Sequence, residues 1–295
     1  MLQDPNRRHL LQPAEGRVFE SLFWQTLRDQ RYVIIPQWLS DAQTDALQAD
    51  AMAVHAFGSS FDCCVGADGH GYTQLDQSVR KSSMCTFYPP PSNSAGSVAA
   101  RADFVDCVQN LRCQLQASAA MSLPYLEPFQ TEMSYLLYPV GGHYKRHLDV
   151  PGTTADGKVQ SGWKLHGRPS SEGGSFCGGR TRRVVSFILY LNRKWDDANG
   201  GKLRVYNAAG SEHADGGEAS AAASAEASPE ASTDAAAIAE DITPEGGSLV
   251  LMMAADVEHM VRETHAERQC IVGWFCEYRE ERVQNMDTFG TAYGS

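Results

Sequence analysis

Beyond Leu123 the chain breaks into short apolar or alternating segments, near 131–138, 143–149, 183–191, 202–206, 248–253 and 268–278, separated by turn residues. A train of short strands punctuated in this way is the signature of an all-β sandwich or barrel. The residues ahead of it follow another period. Val18, Phe19, Leu22, Phe23 and Leu27 recur at helical spacing, which predicts a helix over about 15–29. "YVIIP" (32–36) reads as a short strand, and Ser40 with Gln43 forms a capping-box pattern that opens a helix over about 41–55. Phe104, Val105, Val108, Leu111 and Leu115 line one face of a further helix, about 98–120. Residues 57–96, rich in Gly, Ser and Pro, read as loop with one strand near Met84–Phe87. The expectation is mainly β with supporting α-helices: N-terminal helices buttressing one sheet of a double-stranded barrel, in a single domain.

Apolar residues make up 42% of the 295 residues and charged residues 21%, so most of the chain should fold. The exception is 211–240, "SEHADGGEASAAASAEASPEASTDAAAIAE", whose apolar content is nearly all alanine. It buries too little surface to offset ordering entropy and reads as a disordered acidic insert. The glycine-rich stretch 167–180, within a longer loop over 152–180, also reads as loop. A net charge of −11 and a pI near 5.3 argue against nucleic-acid or anionic-membrane partners. No apolar run approaches the roughly 18 residues of a membrane span. "MLQDPNRRHLLQPAEG" lacks the apolar core of a secretory signal. The eight cysteines show no C-x-x-C and no framework spacing, so free thiols and no structural zinc are expected. Together these suggest a monomer in the cytoplasm or nucleus.

The chemistry gathers in "GHYKRHLDVPG" (142–152), which sets His147 and Asp149 at i and i+2 where an extended segment meets a turn. On a strand those side chains share a face. A third ligand, His259, stands in "DVEHMVRETHAER", just after the apolar strand "GSLVLMM". Two histidines and one carboxylate suit non-heme Fe(II) with open coordination positions. Arg268 opens the strand "RQCIVGWFCEY", placed to form a bidentate salt bridge with the far end of a dicarboxylate. A lone His-x-Asp is more often a hydrogen-bonded surface pair; His259, Arg268 and "YLN…W…GGKLRVY" reverse that balance. His143, in a glycine turn, reads as solvent-facing, and His265 as a second bystander. A zinc hydrolase would want an H-E-x-x-H arrangement, and none occurs.

The stretch 131–279 resembles the catalytic domain of the Fe(II)/2-oxoglutarate-dependent prolyl 4-hydroxylases, closest to the hypoxia-inducible-factor type and its microbial relatives. The matching segments are "YPVGGHYKRHLDVPG", "VVSFILYLNRKWDDANGGKLRVY" and "HMVRETHAERQCIVGWF". "RYVIIPQWLS" and "VRKSS" resemble the superfamily's entry region more weakly. The resemblance implies a double-stranded β-helix (jelly roll) core over 124–282, an N-terminal helical support region with short strands over 1–123, and a C-terminal tail over 283–295. It implies iron ligands His147, Asp149 and His259, with Arg268 and Tyr190 on the distal carboxylate of 2-oxoglutarate. Tyr138 would lie near the iron-chelating end and Tyr144 near the substrate entrance, while Ile188, Val261 and Trp274 would line the pocket.

The chemistry implied consumes 2-oxoglutarate and O2, releases succinate and CO2, and hydroxylates an unactivated C–H bond, with L-ascorbate keeping the iron ferrous. Asp149 occupies the position that halogenating relatives leave small, which favours hydroxylation. The acceptor expected is an accessible proline in an intracellular protein or peptide. Alternatives are the same chemistry on a small molecule, free amino acid or other protein side chain, or a metal-binding jelly-roll binding module without turnover. Three departures from the hypoxia-type relatives stand out: the longer loop at 150–182, the insert at 211–240, and Val272 where those relatives carry a threonine.

Overall fold

The computed structural model describes residues 19–58, 61–63, 65–67, 73–88, 95–150, 164–169, 176–206 and 238–282. The N-terminal elements are α1 (Ser21–Gln30), β1 (Tyr32–Ile35), α2 (Asp41–Ala56), β2 (Phe61–Asp62), β3 (Val65–Ala67), β4 (Thr73–Gln74), β5 (Arg80–Lys81), β6 (Ser83–Tyr88) and α3 (Val98–Ala117). There follow β7 (Glu132–Tyr138), β8 (His143–His147), β9 (Lys164–Pro169), β10 (Phe176–Tyr190), β11 (Leu203–Tyr206), β12 (Ile238–Ile242), β13 (Leu249–Met253), β14 (His259–Val261) and β15 (Arg268–Arg282).

Local chemistry sets the helix boundaries. The Ser40 side chain accepts from the Gln43 amide while the Gln43 side chain accepts from the Ser40 amide, closing the capping box expected at the start of α2. Such a cap contributes about 1 kcal/mol. Helix α1 ends where Arg31 turns left-handed at φ 68°, and Ser97 caps α3.

All strand pairings among the described residues are antiparallel. The large sheet runs β1-β13-β10-β15-β7-β6-β2, with β9 added alongside β10, and the smaller runs β12-β11-β14-β8-β5. The large sheet is buried on both faces. Val33, Tyr135, Phe187, Leu251 and Ile271 point outward into a core shared with Trp24 and Leu27 of α1, Leu47 of α2, and Phe104 and Leu111 of α3. Their neighbours Tyr138, Ile188, Tyr190, Val250 and Cys270 point inward and meet Leu203, Val205 and Val261 of the smaller sheet. Two-sided burial is why these strands read as nearly continuous apolar runs. Where β10, β15 and β7 lie side by side, Gly273 is obligatory, because a Cβ there would run into the Phe187 ring and the Glu132 carbonyl. Helices outside, two antiparallel sheets facing each other inside: this is a jelly roll. No described helix is long and apolar enough to cross a membrane.

Several sequence expectations need correction. Residues 57–96 hold β2 to β5 as well as β6, where one strand was expected. These are pieces of two or three residues, too short to show a period. The glycine-rich 167–180 is not simply a loop, because β9 pairs with the first part of β10 from Phe176↔Pro169 to Thr181↔Lys164. The described parts of 152–180 therefore form a hairpin that prolongs the large sheet, masked in sequence by the density of Gly and Pro. The end of the 211–240 stretch is also strand: Ile238–Ile242 pairs with β11, and only 211–237 lies outside the described residues. The tail 283–295 lies outside them too.

Candidate active site

The site is built on the inner face of the smaller sheet. Strands β8 and β14 pair with His259 directly opposite His147, which brings the rings to 4.3 Å between centroids. Strand β8 ends at His147, so Asp149 reaches the site from the bend beyond the strand, where the sequence reading had placed it on the strand itself. One ligand atom each from His147, Asp149 and His259 lies within 4.8 Å of the others. His147 Nε2 stands 3.9 Å from Asp149 Oδ1.

Each imidazole is oriented from behind. His147 Nδ1 lies 2.8 Å from the Lys145 carbonyl, and His259 Nδ1 lies 3.1 Å from that of Val257. A carbonyl oxygen only accepts, so each Nδ1 carries the proton and Nε2 keeps its lone pair, which is how metal-binding histidines are held. Burial, reinforced by the neighbouring His259, holds the His147 imidazole down at about 3. Burial pushes the Asp149 carboxyl up, but the nearby His259, His147 and Arg183 outweigh it and hold it at about 2. A neutral imidazole and an ionised carboxylate are the states in which these groups bind a cation.

Tyr144 was out of alternation with His147 in the sequence. The structure resolves this with a β-bulge: Val261 pairs with Tyr144 while His259 pairs with His147, so β8 holds one residue more than β14 over that span. The Tyr144 ring stacks on His147 at 3.6 Å, and the Arg80 guanidinium lies over the Tyr144 ring at 4.5 Å from its centroid.

The opposite wall is the inner face of β10 and β15. Arg268 is fully buried, its guanidinium 4.9 Å from the Tyr138 ring centroid and 5.2 Å from that of Tyr190. Its Nη1 donates to Cys270 Sγ at 3.4 Å, whereas Nε and Nη2 have no hydrogen-bond partner, and neither does the Tyr190 hydroxyl. Burial pushes the Tyr190 and Tyr138 phenols up, with Arg268 pulling against it in both, so both stay neutral donors. Tyr138, expected near the chelating end, lies beside Arg268, its partner across the β7–β15 pairing. Ile188 and Val261 are buried in this interior, and Val272 and Trp274 face it from β15.

Sequence reasoning missed three neighbours. Arg183 stacks at 3.5 Å on Trp274 and is ion-paired to Glu132 at 3.0 Å; Arg80 covers Tyr144; Cys270 holds Arg268. Cys270 carried a local signal, since it stands at i+2 from Arg268 on one strand face, and Arg80 lies in the "VRKSS" stretch; Arg183 carried none. His143 and His265 lie outside the triad, each bonded to backbone carbonyls; His143, read as solvent-facing, is half-buried between those of Gly141 and Ser78.

A jelly roll with a His-x-Asp…His triad on its smaller sheet and a buried arginine on the larger one whose Nε and Nη2 lack partners fits one class, the metal- and keto-acid-dependent oxygenases. Residues 133–276 match the family model described as the 2OG-Fe(II) oxygenase superfamily. Over these residues, just under half of its length, the chain is similar to a 2OG-Fe(II) oxygenase domain, and that family implies Fe(II), 2-oxoglutarate and O2. Among solved structures, a Pseudomonas putida prolyl-4-hydroxylase is similar at 22% identity and TM-score 0.56, over 87% of this chain and 98% of that one. A prolyl hydroxylase from Trichoplax adhaerens, in complex with a hypoxia inducible factor oxygen degradation domain peptide fragment, is similar at 16% identity and TM-score 0.55, over 85% and 86%. A non-heme alpha ketoglutarate dependent carbocyclase from nogalamycin biosynthesis is similar at 14% identity and TM-score 0.51, over 90% and 85%. At these identities the likeness is one of fold. No curated protein sequence matches.

The residues fit the implied group. Two Nε2 lone pairs and a carboxylate converge on one point, and a buried guanidinium edge and a phenol hydroxyl stand without partners. Buried donors left open in this way are what a bound carboxylate would satisfy.

Proposed function

We propose that the protein is an Fe(II)- and 2-oxoglutarate-dependent dioxygenase that hydroxylates a prolyl residue in a protein or peptide. The observation that carries the dioxygenase reading is the pairing of the His147–Asp149–His259 triad with the unpaired Nε/Nη2 edge of Arg268, both facing the interior between the sheets. His147, Asp149 and His259 would hold the metal. Arg268 and the Tyr190 hydroxyl would take the distal carboxylate, with Tyr138 beside them and Ile188, Val261 and Trp274 lining the pocket. When bound, iron with 2-oxoglutarate and O2 supplies the oxidising power to hydroxylate an unactivated C–H bond, releasing succinate and CO2. The chain's own part is to orient the keto acid from its far end, exclude water with apolar walls, and leave an approach past Tyr144 for the acceptor. Ascorbate would serve to keep the metal ferrous.

The prolyl acceptor is supported by the sequence resemblance around His147 and along 184–206, and two of the fold neighbours are prolyl hydroxylases, one with a bound peptide. A second reading, a small-molecule acceptor, is favoured by the carbocyclase neighbour. Anaerobic addition of Fe(II) and 2-oxoglutarate should give the visible charge-transfer band of a chelated keto acid, and His259→Ala should abolish both the band and succinate formation while the protein stays folded. Full succinate production by that variant would overturn the metal assignment. Incubation with lysate, iron, ascorbate and 2-oxoglutarate should then yield hydroxyproline in a protein. Oxygenation of a small molecule alone would favour the second reading.

A further inference from the structure

The Arg268 guanidinium has no exposure, so every donor it carries must be satisfied by the protein or by a ligand. Its central carbon lies over the Tyr138 and Tyr190 rings, at 4.9 and 5.2 Å from their centroids, and one donor, Nη1, is taken by the Cys270 thiol. Nε and Nη2 remain, and these two lie along a side-on edge of the guanidinium that offers parallel N–H groups to a carboxylate; the other such edge includes Nη1, which Cys270 engages.

We propose that Cys270 is a positioning residue for the co-substrate: by accepting from Nη1 it locks the Arg268 guanidinium with its Nε/Nη2 edge turned to the distal carboxylate of 2-oxoglutarate. This rests on the reading of Arg268 as the carboxylate clamp. A thiol suits the task for two physical reasons. It is a neutral acceptor, so it leaves the positive charge for the ligand, whereas an aspartate at this position would neutralise Arg268 and compete for it. Burial also pushes the Cys270 thiol up, against the pull of Arg268, which keeps the sulfur protonated. Alanine would leave Nη1 without an acceptor in a place water does not reach, and the guanidinium would turn to share the deficit.

The test is equilibrium binding, measured by calorimetry on the full chain loaded with Mn(II) in place of iron, under anaerobic conditions. Two keto acids are compared: 2-oxoglutarate, which has the distal carboxylate, and 2-oxobutyrate, which lacks it. Cys270→Ala should weaken 2-oxoglutarate binding about ten-fold, the size of one lost hydrogen bond to a charged group. It should leave 2-oxobutyrate unchanged, and Cys270→Ser, which keeps an acceptor, should restore most of the 2-oxoglutarate affinity. If Cys270→Ala binds 2-oxoglutarate like the parent while Arg268→Ala does not, the positioning role is wrong and the clamp stands. Equal weakening for both ligands, with a lower melting temperature, would mean that Cys270 only fills space, and would also overturn the proposal. If Arg268→Ala itself leaves 2-oxoglutarate binding intact, it is the clamp reading that fails.

Discussion

Replacing Asp50 by alanine should destabilise the protein more than any surface change, although Asp50 lies on a helix outside the jelly roll. Its carboxylate is buried at 2% exposure and gathers donors from three other places in the chain. The Tyr135 hydroxyl of β7 donates at 2.6 Å, Arg101 Nη1 of α3 sits 3.2 and 3.3 Å from the two oxygens, and the Ser97 amide at the start of α3 donates as well. The Arg101 side chain keeps only 12% exposure, so solvent compensates little if the partner is lost. Removing one member of a buried pair costs about 3–5 kcal/mol, since it strands the other charge. The Tyr135 hydroxyl and Ser97 amide are orphaned together with it. Their penalties overlap the first, and Asp50→Ala should lose about 3–5 kcal/mol in all. Tyr135→Phe, which removes one donor only, should lose about 1–2 kcal/mol. The assay is urea unfolding followed by tryptophan fluorescence, to which the buried Trp24 and Trp38 contribute. In the double mutant the two losses should fall short of adding, because the contact they share is counted twice. A loss below about 1 kcal/mol for Asp50→Ala would refute the premise that this carboxylate ties α2 and α3 to the sheet.

Three further outcomes are expected. Arg268→Ala should raise the apparent KM for 2-oxoglutarate by tens-fold or more, since leaving a carboxylate unpaired in a buried pocket costs about 2–5 kcal/mol; an unchanged KM would mean another cation is the clamp. Gly201→Ala should raise the same KM and lower stability by about 1–3 kcal/mol, and a silent variant would contradict the geometry. Gly201 has φ 64°, and an added Cβ would sit 3.1 Å from Arg268 Cδ and 3.0 Å from Thr264 Oγ1. Excising 211–235 with a short linker should leave the melting temperature and uncoupled 2-oxoglutarate turnover unchanged, whereas excising 211–242 should lower the melting temperature by removing β12; equal effects would show that the β11–β12 pairing contributes little to stability.

What the sequence determined was local. Ser40 and Gln43 dictate a helix start because both partners of the capping box lie within one turn. Alternation along 183–191 sorts Phe187 and Leu189 from Ile188 and Tyr190, since successive side chains on a strand must point to opposite faces. The "GG" before "KLRVY" was legible as a motif, though its cause, the approach of Gly201 to Arg268, was not. The His147–Asp149–His259 set was readable from residue type and from the strands flanking it. The tertiary structure alone decided which distant segments lie side by side. It set His259 opposite His147, put the bulge that turns Tyr144 onto His147, and brought Tyr138 to Arg268 across the β7–β15 pairing. The Asp50 network and the Arg80–Tyr144 stack join residues whose separation in the chain hides the partnership. Periodicity records which face a side chain takes, because backbone sterics act between near neighbours. Register and pairing depend on how whole faces pack, and no short stretch of this chain contains both partners.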